Sequence, residues 1–218
     1  MPDSFPVSDR TRLVREANRA VYDRPAIYKI LDEALLCHVG FSDSAGQPFV
    51  LPTMFARIAD HLYLHGSAAS RMLRGLASGL PVCITVTLAD GLVLARSVFN
   101  HSMNYRSVVA LGHARLLDDP AEKLAALHAF TEKLIPGRWN DARQPNEREL
   151  KATSILKLSL TEVSAKVRSG DVEDDADDYA LPIWAGVIPL RLVADTPLRD
   201  SRCDPAILTP TYASNFKR

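Results

Sequence analysis

The chain has 218 residues, 47% hydrophobic and 24% charged, which is the size and composition of one globular domain. Its 26 Lys and Arg residues balance its 26 Asp and Glu residues, which argues against a nucleic-acid binder that works through bulk positive charge. No apolar run approaches the roughly 20 residues of a membrane span, and the polar start is unlike a secretory signal. We therefore expect a cytoplasmic protein with no membrane partner.

The predicted elements begin with a basic, weakly ordered N-terminal arm over residues 1–22. Asp23 is a typical N-cap, and Pro25 fits the first turn of a helix, where its missing N–H costs little. Apolar residues then recur at helical spacing as far as Ala34, so this helix is expected to pack one stripe on a core. From residue 35 the period changes to that of strands.

Alternating apolar residues predict five strands in succession, LLCHVGF, PFVLPTMFAR, LYLH, PVCITVTL and LVLARSVF. A loop of small residues, GSAASRMLRGLASG, runs into a short helix between the third and fourth strands. The sequence ADG after the fourth strand predicts a hairpin turn. YRSVVALGHARLL predicts a sixth strand.

The second half of the chain has fewer strands. A helix is expected to start at Asp119 and Pro120, and LKATSILKLSL predicts the last clear strand. DVEDDADD predicts a solvated acidic loop, and the tail is Pro-rich. Six or seven strands joined mostly by short turns predict a mainly β (α+β) antiparallel barrel or sandwich with a few helices. We place one domain at residues 23–190 and an irregular C-terminal tail at residues 191–218.

The loop before the short helix has the chemistry of an anion site. Its Gly, Ala and Ser residues let backbone N–H groups approach an anion, and the following helix presents its positive end. Ser70 and Arg71 stand at the entry, where an arginine fork fits a phosphate. The alternative is an ordinary helix cap by Ser70 with a solvated Arg71.

The stretch HSMNYRSVVALG begins with polar residues and continues as an apolar strand. Arg106 and Ser107 open the apolar part, so at least one of them lies at a sheet boundary near the core. An arginine there requires an acidic partner or a ligand. The sequence leaves both possibilities open.

Two further side chains are candidates for ligand contact. His65 ends the third strand immediately before the small-residue loop. Its side chain either faces a ligand bound by that loop or makes a structural hydrogen bond. Trp184 either stacks on a planar ligand or fills the core or a dimer contact. No metal site is expected, because the three cysteines lack zinc spacing and HExxH and HxH are absent.

Several of these stretches, in this order, resemble a known family. The segments are LPTMFAR, LYLHGSAASRML, PVCITVTL, HSMNYRSVVALGHARLL, PGR and ELKATSILKLSL. They are similar to the flavin-nucleotide-binding, nitroimidazole-resistance-type branch of the pyridoxamine 5′-phosphate oxidase-like superfamily. The similarity runs from about residue 12 to about residue 190.

The resemblance implies a six- to seven-stranded split β-barrel that forms a homodimer and binds FMN in clefts between the subunits. The residues that it implies at the cofactor are Thr53, Met54, Phe55, Arg57, His65, Gly66, Ser70, Arg71, Arg106, Ser107 and Trp184. The strand of the first four would lie along the isoalloxazine ring through its backbone, with His65 and Gly66 beside the flavin.

The resemblance also assigns roles at the other end of the cofactor. Ser70 and Arg71, with Arg57, would bind the phosphate. Arg106 and Ser107 would reach in from the facing subunit, and the tryptophan would close the cleft.

The resemblance implies an FMN-dependent oxidoreductase that passes electrons from a reduced nicotinamide to a small acceptor such as a nitroaromatic or a quinone. His65 is the candidate proton donor, because an imidazole titrates near neutral pH. Met72 stands where the vitamin B6 oxidases have a lysine, which argues against that substrate. The alternatives are a flavin carrier, store or sensor without turnover, or a related split barrel that binds haem or F420.

Overall fold

The computed structural model describes residues 3–217. Over these residues the chain forms ten strands: β1 Ala20–Val21, β2 Leu36–Ser42, β3 Pro48–Ile58, β4 His61–Ser67, β5 Pro81–Leu94, β6 Ser102–His113, β7 Arg115–Leu116, β8 Thr153–Ser159, β9 Glu162–Arg168 and β10 Gly186–Pro189. It also forms six helices: α1 Arg24–Glu33, α2 Arg71–Ala77, α3 Pro120–Leu134, α4 Arg138–Asp141, α5 Glu147–Ala152 and α6 Thr211–Ser214. Short 3-10 turns cover Ala17–Arg19, Val98–Asn100 and Ala176–Ala180.

The ten described strands form one antiparallel sheet that curls into a split barrel. Its order is β1-β9-β6-β5-β2-β3-β4-β8-β7, and β10 adds to β5. Strand β3 joins the two halves, because it pairs with β2 up to Met54 and with β4 from Phe55 onward. Strand β6 pairs with β5 and β9, and its continuation β7 pairs with β8. The predicted mainly β split barrel with flanking helices is confirmed.

The barrel interior and α1 share one core. Helix α1 begins after Asp23, whose carboxylate accepts a hydrogen bond from the N–H of Ala26 at 2.9 Å. Ile27 and Leu31, on the predicted apolar stripe, are fully buried. Burying such side chains contributes about 1.5–3 kcal/mol each, so this stripe holds the helix on the barrel.

The N-terminal segment packs on the same core. Phe5 is buried within the core cluster, and β1 pairs with β9. The prediction of a weakly ordered arm is therefore wrong for residues 3–22; residues 1–2 lie outside the described residues. A single buried aromatic in a charged segment produces no periodicity that sequence analysis detects. The boundaries of the domain and of the C-terminal tail stay predictions.

Strand β5 replaces a predicted hairpin. The sequence predicted two strands with a turn at ADG, but the structure has one 14-residue strand with a β-bulge between Ala89 and Gly91. Strand β6 pairs along both sides of this bulge, so its long-range hydrogen bonds outweigh the local turn signal. The carboxylate of Asp90, in the bulge, accepts hydrogen bonds from Arg106 of β6.

Besides β1, two strands were not predicted clearly. Charged residues of β9, among them Lys166 and Arg168, interrupt the apolar alternation, and β10 is only four residues long. Both are held by neighbours distant in sequence, β9 by β6 and β10 by β5. No helix among residues 3–217 is both long and apolar enough to cross a bilayer.

Candidate functional site

The small-residue loop lies between β4 and α2 and is closed by local hydrogen bonds. The N–H of Ser70 bonds to the carbonyl of Ser67 at 2.9 Å, and the Ser70 hydroxyl accepts from the N–H of Leu73 at 3.4 Å. A Cβ at Gly66 would come 3.1 Å from the Cδ1 methyl of Leu73, so the glycine allows the Leu73 side chain of α2 to pack closely against this loop. The predicted cap by Ser70 is therefore present.

Arg71 is the first residue of α2, and its guanidinium is exposed. The guanidinium carbon lies 4.5 Å from the centre of the Phe49 ring on β3. Within residues 3–217 it has no hydrogen bond and no carboxylate partner. An arginine that is oriented by an aromatic ring but not neutralised is available to an anion.

The edge of β3 next to this loop supports the predicted backbone contact. Thr53 and Met54 are half-buried and pair with β2 on one edge. On their other edge no strand pairs with them in the described structure, because β4 begins its pairing at Phe55. The backbone N–H and C=O groups on that edge are free to meet the polar edge of a planar ligand.

The side chain of Phe55 cannot contact a ligand, because it is only 1% exposed and the ammonium of Lys133 lies 3.8 Å from its ring centre. Its backbone pairs with Leu64. Phe55 is therefore a core residue, and a cofactor contact there is restricted to its backbone.

His65 lies at the start of the loop with its ring 4.2 Å from the ring of Phe130 on α3. Its Nδ1 is buried without a hydrogen-bond partner. Burial lowers the pKa of His65 below the usual value, so the ring is neutral at pH 7. This shift weakens the expected reason for a proton-donor role, titration near neutral pH, and the role itself stays a prediction. A neutral His65 offers a hydrogen bond rather than an imidazolium proton.

Arg57 is turned away from the loop. Its guanidinium makes two hydrogen bonds to Asp32 of α1, at 2.8 and 2.5 Å, and lies 4.2 Å from the ring centre of Tyr28. A third bond goes to the carbonyl of Ala59 at 2.9 Å. These contacts assign Arg57 to the packing of α1 on the barrel and do not support the expected phosphate contact.

Arg106 is neutralised by two carboxylates of its own chain. It makes two hydrogen bonds to Asp90 at 2.9 and 2.7 Å and two to Glu33 at 2.7 and 2.5 Å. These bonds raise the pKa of Arg106, and the bond to Arg106 lowers the pKa of Glu33. The hydroxyl of Ser107 donates to the carbonyl of Lys166 at 3.3 Å. Of the two possibilities left open by the sequence, the structure has the arginine–carboxylate pair.

Trp184 is 68% exposed and lies over β10. A Cβ on Gly186 would come 2.9 Å from its ring, so the glycine makes room for it. Because Gly186 pairs with Leu94, the ring lies beside β5 on the outer face of the sheet. The core alternative for Trp184 is excluded, and the ring is available to a ligand or a partner.

Sequence analysis missed the role of the acidic loop. The side chain of Asp174 is fully buried and accepts from the N–H of Arg96 at 3.1 Å and from the N–H of Ser97 at 3.4 Å. It also pairs with the Arg96 guanidinium at 3.1 Å. Its neighbours Glu173 and Asp175 are exposed, and a run of acidic residues carries no signal for which one is buried.

Comparison with known proteins gives the family. A model of the family described as pyridoxamine 5′-phosphate oxidase matches residues 23–167. The chain belongs to this family. No curated protein matches the chain.

Solved structures extend the similarity to most of the chain. Flavocytochrome Anf3 from Azotobacter vinelandii is 44% identical over 94% of this chain and 95% of its own, with a TM-score of 0.89. The FAD and haem binding protein from Mycobacterium smegmatis is 34% identical over 89% and 95%, with a TM-score of 0.85. A 5-nitroimidazole antibiotic resistance-type protein from Bacteroides thetaiotaomicron is 26% identical over 68% and 86%, with a TM-score of 0.59. The chain is thus a member of the flavin-binding split barrels.

Proposed function

We propose that this protein binds a flavin nucleotide at the loop of residues 65–71 and acts as an oxidoreductase. The observation that carries the proposal is Arg71, an exposed guanidinium without a carboxylate partner in the described structure, next to the free edge of β3. This pairs an anion-binding group with a strand edge able to hydrogen-bond a planar ring. The flavin supplies the redox chemistry, and the chain binds and orients it.

The donor and acceptor follow from the same proposal. Electrons pass from a reduced nicotinamide to a small acceptor such as a quinone or a nitroaromatic. His65, neutral at pH 7 because of its burial, donates a hydrogen bond to the bound flavin and does not serve as a charged acid.

The flavin is FMN or FAD, and both carry the phosphate that Arg71 would hold. The sequence resemblance favours FMN. The similarity to the FAD and haem binding protein, at 34% identity, favours FAD, and we propose FAD for this reason. Mass spectrometry of the cofactor released from the purified protein distinguishes the two.

Arg71→Ala tests the phosphate contact. Loss of a charge-assisted hydrogen bond costs about 1.5–3 kcal/mol, so FMN and FAD are expected to bind about 10- to 100-fold more weakly. Riboflavin, which has no phosphate, is expected to bind unchanged. Titration of the apoprotein by flavin fluorescence measures all three. The matched control is Arg74→Ala, an exposed arginine on the same helix, and equal losses for riboflavin and FMN in Arg71→Ala would refute the contact.

We also propose that the protein is a homodimer whose second copy completes the flavin cleft. Most of the exposed large apolar side chains of the described structure lie in two stretches, residues 92–103 and 179–208. Val98, Phe99 and Leu198 are 89, 90 and 95% exposed. Apolar exposure on this scale is typical of a surface covered by another chain.

A second cofactor, haem, is favoured by two further observations. The flavocytochrome that is 44% identical matches 94% of this chain, and this chain has an exposed histidine whose ring is oriented by a backbone carbonyl. His101 is exposed, and its Nδ1 lies 2.8 Å from the carbonyl oxygen of Ser97. We propose that the protein is a flavocytochrome in which the bound haem exchanges electrons with the flavin. An absorbance spectrum with both flavin and Soret bands would support this, and haem-free protein that rejects added haemin would refute it.

A further inference from the structure

We infer that His101 is the axial ligand through which this chain binds haem iron; the inference rests on the proposed haem cofactor. A carbonyl oxygen only accepts hydrogen bonds, so the proton shared with Ser97 belongs to Nδ1 of His101. In the neutral imidazole, Nε2 then carries the lone pair. Histidine ligands in metal sites use this arrangement, in which one ring nitrogen donates to a carbonyl and the other binds the metal.

The turn that holds His101 is fixed from two sides. Ser97 caps the 3-10 turn at Val98–Asn100 through its hydroxyl, which accepts from the N–H of Phe99 at 3.2 Å. The buried carboxylate of Asp174 accepts from the N–H groups of Arg96 and Ser97. The carbonyl that orients the imidazole is therefore held by the fold, and the ring orientation does not depend on bound haem.

An apolar surface adjoins the imidazole. Met103 of β6, Leu92 of β5 and Ile188 of β10 are cross-strand partners in one row, so their side chains share a face of the sheet. They are 38, 37 and 44% exposed. His101 precedes Met103 by two residues in extended backbone, which places it on the same face.

Trp184 extends this face. Its ring lies over Gly186, which pairs with Leu94 of β5, two residues along the strand from Leu92. On this face, the imidazole of His101 and the exposed indole of Trp184 therefore lie beside the row of apolar side chains. A porphyrin has a large apolar face that needs this kind of cover. Trp184 therefore contacts haem on this face, and the phosphate loop is left to the flavin.

Two other histidines, His65 and His128, fit an axial role less well. His65 has its Nδ1 buried without a partner and its ring against Phe130. His128 packs edge-on against Trp139. Among the histidines of residues 3–217, His101 has the one ring-nitrogen hydrogen bond that fixes a tautomer.

The test replaces His101 in the flavin-loaded protein and follows the haem spectroscopically. His101→Gly is expected to bind haemin at least tenfold more weakly and to lose the absorbance and EPR features that an imidazole ligand gives the ferric iron. Added imidazole is expected to restore these signals, because it fills the space left by the side chain. The matched control is His113→Gly, an exposed histidine at the opposite end of β6, which should leave the spectrum unchanged.

The outcomes separate this inference from the proposed function. Wild-type protein that binds no haemin refutes the haem cofactor itself. If the wild-type protein binds haem and His101→Gly gives the same haem spectrum as the wild type, the ligand assignment alone is refuted. Unchanged flavin content in His101→Gly shows that the variant is folded. If the variant loses the haem signals and added imidazole does not restore them, this result also counts against His101 as the ligand.

Discussion

Arg106→Met is the substitution that best separates the structural role of Arg106 from the cofactor role that the family resemblance implied. The methionine keeps most of the aliphatic stem but removes four hydrogen bonds, two to Asp90 and two to Glu33. If these carboxylates are the partners of Arg106, the variant loses stability and keeps its flavin affinity.

The magnitude follows from the exposure of the three groups. The side chain of Arg106 is 25% exposed, whereas those of Glu33 and Asp90 are 47 and 33% exposed. Ion pairs with this much solvent contribute about 0.2–1 kcal/mol each. We therefore expect the free energy of unfolding at pH 7 to fall by about 0.5–2 kcal/mol, screened further by salt.

The pH dependence gives a second, independent check. Arg106 lowers the pKa of Glu33 in the folded state. A depressed carboxyl pKa contributes stability that is present above the unfolded value of about 4.3 and is lost as pH falls through the folded value. The difference between wild type and Arg106→Met should therefore shrink as the pH is lowered from 7 to below about 4.

Urea unfolding of the apoprotein at fixed protein concentration measures both effects, and flavin titration is run in parallel. Arg143→Met is the matched control, because Arg143 makes a similar two-bonded pair with Glu149 but is 69% exposed; it should change stability little. Unchanged stability of Arg106→Met at pH 7 with a tenfold loss of flavin affinity would refute this reasoning and favour the role across the subunit interface.

Two further predictions concern the acidic loop and the assembly. Asp174→Asn should speed hydrogen exchange at the N–H groups of Arg96 and Ser97 at least tenfold, because it weakens the buried acceptor of both. The control is Asp175→Asn, at an exposed residue, which should leave this exchange unchanged. Equal exchange rates in the two variants would contradict the role of Asp174. Sedimentation of the flavin-loaded protein should give twice the mass of one chain, and a monomer that retains full flavin affinity would contradict the shared cleft.

Local signals in the sequence determined most of the secondary structure. Asp23, Ser70 and Asp119 were identifiable as caps, and each accepts a backbone N–H at the start of its helix. The two-residue alternation located β2, β3, β4 and β6, because a strand with one buried face must alternate. The order of motifs such as HGSAASR and YRSVVALG was enough to predict the family and its barrel.

The partners of charged side chains were decided by the tertiary structure. Arg57 and Arg106 each had a ligand role in the prediction, but α1 brings Asp32 to one and Glu33 to the other. The bulge in β5 brings the second carboxylate to Arg106. Local periodicity states which side of an element is apolar; it does not state which distant carboxylate will face a given arginine.

The same distinction separates the two proposed cofactor sites. The residues around Arg71 are nearly contiguous in sequence, so their anion-binding chemistry was visible in the loop itself. The surface at His101 joins β5, β6, β10 and the acidic loop, and its residues Leu92 and Ile188 are 96 positions apart in the sequence. Such a surface exists only after the sheet has formed, because strand register alone sets which side chains share a face.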